Sequence, residues 1–152
     1  MRILNLAYSL AALLAASPLA AQTLNVASAG DQNMVDYVKD YLGPMFEKSH
    51  PGVKVVSVGT GPGDAGSQKI FEKLDAQKGA AATDFDVVVI HQKAAGTMVK
   101  QGLLAKYTDK VDTANLVSSE NARHALSADV TGYVIPMFQS QPALPFTADM
   151  IT

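Results

Sequence analysis

The sequence predicts an α/β domain built on a doubly wound, mainly parallel sheet. Three observations predict it. Short β-branched runs alternate with segments of helical periodicity three times along the chain. The connections between them are short, as parallel crossovers that pack back onto one sheet require. The run "FDVVVIH", Phe85 to His91, is apolar without interruption, the mark of a strand covered on both faces.

The elements follow in order. "TLNVAS" (Thr23 to Ser28) reads as a buried strand, and Asp31 after it is placed to cap a helix. Met34, Val35, Val38, Tyr41, Leu42, Met45 and Phe46 recur at helical spacing and form one apolar stripe. Pro44 should kink or restart that helix after Gly43, and "SHPG" ends it. "VKVVSVG" (Val53 to Gly59) is the second strand. A glycine-rich loop leads into "SQKIFEKLDAQKG", a helix closed by Gly79. After the third strand, "QKAAGTMVKQGLL" is helical and "LVSSENARHAL" weakly so. "GYVIPMFQSQ" (Gly132 to Gln141) is a last strand, with Pro136 suiting it to an edge or a bend.

The first residues stand apart from this pattern. Met1-Arg2 is followed by the apolar run Ile3 to Ala16, then Pro18 and small residues up to Ala21. This is the layout of a secretory signal peptide, too short for a membrane span, with cleavage expected after Ala21. Residues 22–152 are then the exported domain. The chain has no cysteine, so neither a disulfide nor a lipid anchor at the cleavage site is available. A released, unanchored protein of a bacterial periplasm follows. The net charge of −2 and the lack of any basic tract give no footing for a nucleic-acid partner.

In a sheet of this type ligands bind outside the carboxyl ends of the strands. Here those ends are Ser28-Ala29-Gly30, the loop from Gly59 to Ser67, and His91-Gln92. The loop contains Gly61-Pro62-Gly63-Asp64-Ala65-Gly66, which satisfies the dinucleotide pattern G-x-G-x-x-G between a strand and a helix. That mechanism also needs an acid at the end of the next strand. Asp84 and Asp86 stand at its start instead, and Pro62 deletes a donor that a pyrophosphate would use. The phosphate-loop pattern fails as well, because Ser67 and Gln68 occupy the Lys and Ser/Thr positions. What survives is a helix opened by Gly66 and Ser67, whose amides suit a carboxylate, phosphate or phosphonate. Asp64 would repel an anion and could instead hold an amine or a metal. A plain turn with Ser67 as N-cap, touching no ligand, is the alternative.

No catalytic group, cofactor or metal site is expected. His50, His91 and His124 lack metal-ligand spacing, Asp84 and Asp86 suit a turn, and Ser118-Ser119 suits a helix cap. There is no nucleophile elbow and no thiol.

"FEKSHPGVKVVSVGTGPG" resembles the first helix, second strand and ligand loop of bacterial extracellular solute-binding proteins, the periplasmic receptors of ABC importers. "TLNVASAGD" behind a signal peptide, "GLLAKYTD" and "GYVIPMFQSQ" are similar to the same family, in the same order. The resemblance implies the first lobe of a periplasmic-binding-protein-like fold, in which two lobes close on a hinge over a small solute. It places Ser28, Ala29, Gly30, Gly61, Gly63, Asp64, Ser67, His91, Gln92, Ser140 and Gln141 along the first lobe's half of the cleft. Its solutes include polyamines, ferric iron, phosphonates, thiosulfate and sugars, and its partner is a membrane permease. Two departures matter. The chain stops at Thr152, where relatives cross into the second lobe. Pro142, Pro145 and Phe146 also alter the strand that crosses. The expectation is an N-terminal lobe that is incomplete: a fragment, a truncated product or a non-functional remnant. Such a lobe should bind solute weakly or not at all alone, and expose an apolar patch where the missing segments would pack. A small secreted α/β enzyme or nucleotide-binding domain using the glycine loop is the alternative function.

Overall fold

β1 (Gln22–Ala29) forms the centre of a three-stranded parallel sheet. It is flanked by β2 (Val53–Gly61) on one side and β3 (Val87–Val89) on the other. The computed structural model describes residues 21–108, 110–112 and 123–138. Residues 1–20, Ser118-Ser119 and the Ser140-Gln141 pair lie outside the described residues, as does the Pro142–Phe146 stretch.

The alternation of β1 assigns its two faces. Ala27 and Ala29 point to one side and pack with Ile70, Leu74 and Met98 from two helices, α3 (Gly63–Ala76) and α4 (Gln92–Lys100). Alanine there lets the helices lie close to the strand. Leu24 and Val26 point to the other side, where Leu24 pairs in register with Val55 of β2 and Val26 with Ser57. That side carries the first helical segment. Helices therefore cover both faces, as the order β2-β1-β3 demands of parallel strands joined by crossovers.

The first helical segment has three parts in one run: α1 (Gln32–Asp36), a π-helical turn (Tyr37–Leu42) and α2 (Gly43–Ser49). The Gly43 amide bonds the carbonyl of Val38, five residues back. Pro44 explains the widening. It has no N–H, and its ring would strike the carbonyl four residues earlier in a regular helix. The expected restart after Gly43 is thus present, with Pro44 in the first turn of α2. The apolar stripe is only partly covered. Val38 and Gly43 face the sheet, whereas Tyr41 and Met45 of the expected stripe are 53% and 55% exposed.

Three expectations fail locally. β3 is only three residues long, and Val87 is 45% exposed instead of covered on both faces. Its open face joins an apolar groove of about 520 Å³, bounded by Leu24, Val26, Phe46, Val55, Val89 and Met137. His124, expected in a weak helix, lies in a small hairpin of β4 (His124–Ala125) and β5 (Ala128–Asp129). Leu126 turns that hairpin with φ +56°, and Ala125, Ala128 and Val130 bury it against Ala95 of α4. Finally, residues 134–138 form no strand among the described residues; they follow a turn closed by the Tyr133 amide on the Val130 carbonyl.

Candidate functional site

The carboxyl ends of the three strands and the amino ends of the helices that follow them meet at one edge of the sheet. Asp31 occupies the cap position before α1 with extended backbone, but its side chain makes no capping bond. At the end of β2 the pairing slips: Ser28 faces Gly59, while Ala29 faces Gly61. The extra residue is Thr60. Its hydroxyl lies 3.0 Å from the Gly66 carbonyl and 3.3 Å from that of Ser28, donating in a shared bond that ties β1 to α3.

The glycines of the loop have geometric reasons. Gly61 and Gly63 have φ of +100° and +63°, left-handed values on either side of an extended Pro62. Gly66 is buried where α3 crosses the strand ends. A Cβ there would stand 3.2 Å from Ala29 Cα and far inside contact distance of the Gly61 carbonyl. The helix opens at Gly63, with Pro62 as its cap residue, and not at Gly66-Ser67 as the sequence suggested. Pro62 wins because its fixed φ suits the residue that enters a helix, and its carbonyl accepts the Gly66 amide at 3.2 Å.

Ser67 therefore does not cap. It is 1% exposed in the second turn of α3, where its hydroxyl donates to the Gly63 carbonyl at 3.4 Å and accepts the His91 amide at 3.1 Å. It fastens the start of α3 to the end of β3. Ser67→Ala leaves a donor at the strand end without its acceptor and should cost about 1–3 kcal/mol. A urea denaturation midpoint measures this, and an unchanged midpoint would contradict the role.

Asp64 lies at the mouth of the loop. Its carboxylate pairs with Lys93 Nζ at 3.2 Å and stands 3.6 Å from His91 Nδ1. The Lys93 ammonium compensates its charge, so the edge need not repel an anion. Lys93 was missed in the sequence, although it had a signal. A lysine in the first turn of a helix opposes the helix dipole and needs a local acid to explain it. A hollow of about 180 Å³ adjoins this pair, between Gln68 of α3 and Thr97 of α4.

The structure brings nine of the expected residues to this edge: Ser28, Ala29, Gly30, Gly61, Gly63, Asp64, Ser67, His91 and Gln92. They are not equally accessible. Ser28, Ala29 and Ser67 are buried, and the Ser28 hydroxyl has no hydrogen-bond partner among the described residues. Gly30, Gly61 and Gly63 are half-buried, while Asp64, His91 and Gln92 are exposed. The Gln92 side-chain amide donates to the His124 carbonyl, tying the edge to the hairpin.

The sequence model of a family described as bacterial extracellular solute-binding protein matches residues 28–147. No curated protein matches the chain. Among solved structures, the fold is similar to an extracellular solute-binding protein family 1 from Alicyclobacillus acidocaldarius subsp. acidocaldarius DSM 446. The two share a TM-score of 0.53 and 16% identity, over 70% of this chain and 26% of that one. The chain thus spans about a quarter of the length of the relative it matches. The family match covers most of the sequence, and the parallel sheet with its strand ends gathered at one edge has the corresponding fold: this chain belongs to the bacterial extracellular solute-binding proteins.

Proposed function

We propose that the carboxyl edge of the sheet is one wall of a solute-binding cleft, in a receptor that serves an ABC importer in the periplasm. The observation that carries this reading is the convergence of Gly30, the Gly61–Ser67 loop and His91-Gln92 at that single edge. Exposed groups of both signs (Asp64, His91 and Lys93) lie beside the opening turn of α3, whose first amides have no partner within the helix. Such an edge can orient a small polar solute and discriminate among its charges. It encloses nothing by itself, because a single wall cannot remove a solute from water. The second wall belongs to the other lobe of the receptor. In this reading, residues 1–21 are a leader removed on export, Ser140-Gln141 continue the same wall, and the partner is the importer's membrane permease. The role is binding and not catalysis.

Amide chemical shifts test the proposal. A panel of a polyamine, a phosphonate, thiosulfate, a sugar and ferric citrate is titrated into the purified chain. The expected result is millimolar binding of one class, about −4 kcal/mol, with shifts concentrated at residues 28–30, 59–67 and 91–92. Micromolar affinity, about −8 kcal/mol, would overturn the need for a second wall. Shifts centred elsewhere would overturn the site.

A further inference from the structure

We propose that Glu47 guards the free edge of β2, occupying an outward backbone amide so that a second copy of this chain cannot pair there. β2 is nine residues long and, among the described residues, pairs only with β1. Its sequence, VKVVSVGTG, is rich in β-branched residues, and Val56 and Val58 are 39% and 38% exposed. A long, apolar, unpaired edge of this kind is a template for adding another strand.

Two contacts from the end of the first helical segment fall on that edge. The Val53 amide donates to the His50 carbonyl at 3.1 Å. The Val55 amide donates to Glu47 Oε1 at 2.8 Å. Both amides therefore turn away from β1, and the two-residue period of a strand puts Ser57 and Gly59 in the same outward phase. The other oxygen of Glu47 binds Lys54 Nζ at 3.0 Å, so both carboxylate oxygens are engaged. The Val55 amide, and then Lys54, hold the Glu47 carboxyl below the usual glutamate range, so it stays an ionised acceptor. The carboxylate bars an incoming carbonyl from Val55, while Lys54, two-thirds exposed, sets a charge where an added strand would need an apolar neighbour.

Sedimentation velocity over a concentration series tests the guard, with circular dichroism to check folding. Glu47→Ala should strengthen self-association by about tenfold or more over the unaltered chain. Adding Val56→Lys, which places a fresh charge on the bare edge, should return it to the starting value. Glu47→Gln keeps an acceptor oxygen for Val55 and should associate no more than the unaltered chain. Equal association of Glu47→Ala and the unaltered chain would overturn the proposal. So would a Glu47→Gln chain that associates as strongly as Glu47→Ala, since the occupied amide would then not be the cause. Hydrogen exchange in the unaltered chain gives an answer even if a variant fails to fold. The Val55 amide should exchange more slowly than those of Ser57 and Gly59, and equal rates would overturn the guard.

Discussion

Gly66→Ala is expected to destabilise the domain by about 3 kcal/mol or more, a large share of the 5–15 kcal/mol that holds a typical domain together. Helix propensity alone would favour the change, because alanine is the better helix former by about 1 kcal/mol. Packing reverses the sign. The added methyl meets two pieces of backbone, the Gly61 carbonyl and Ala29 Cα, and backbone cannot rotate aside as a side chain can. Either α3 retreats from the strand ends or the loop reopens. Retreat would break the Thr60 bond to the Gly66 carbonyl and the Ser67 bond to the His91 amide. Urea unfolding followed by circular dichroism measures the loss. A loss under about 1 kcal/mol would mean that the helix seat is soft, and that the loop geometry does not depend on close approach.

Ile70→Ala is expected to cost about 2–5 kcal/mol, whereas Ile70→Val should cost about 0.5–1.5 kcal/mol. Ile70 is fully buried between α3 and the sheet, in contact with the cluster of Ala27, Ala29, Leu74 and Met98. Its neighbours on the strand are alanines, too small to swing into the space a truncated side chain leaves. The cavity should therefore persist and add its own penalty to the lost burial. This cluster is also the seat on which the glycine loop rests, since Ala29 belongs to both. Thermal unfolding of the two variants side by side gives the comparison. If alanine cost no more than valine, the core between α3 and the sheet would be collapsing freely, and the close approach at Gly66 would lose its support.

Much of the edge was legible in the sequence because it depends on local chemistry. Strand runs such as TLNVAS and VKVVSVG, the restart at Pro44 and the left-handed turn at Gly79, just beyond the end of α3 at Ala76, each follow from a residue's own conformational limits. The parallel order then places every strand end, and so Ser28, Gly61 and His91, on the same side. The opening of α3 was misread by several residues because Ser67 has the residue type of a cap. Its hydroxyl is instead claimed by an amide 24 residues away. No local pattern contains that distance.

The apolar stripe of the first helical segment shows the same division. A period of 3.6 placed Tyr41 and Met45 inside, but Tyr41 is exposed on the widened turn, and Met45, although it faces the sheet side, lines the open apolar groove with Leu24 and Val26. Periodicity tells which side chains share a face, and not whether another element covers that face. Similarly, an unbroken apolar run marked β3 as covered on both faces, yet coverage depends on what packs there, and one face opens on the groove.

By itself, then, the sequence determined the α/β class, the order of the elements as far as α4 and the family to which the chain belongs, because these rest on periodicity, turn chemistry and short motifs read along the chain. Only the tertiary structure decided which of the edge residues are buried fasteners and which are exposed groups. Ser67 became a bracket, Asp64 a compensated charge and Glu47 a partner of the β2 edge through contacts between residues distant in sequence or on separate elements. Those contacts form only when helices seat against strands, and a strand-by-strand reading carries no information about which neighbour arrives first.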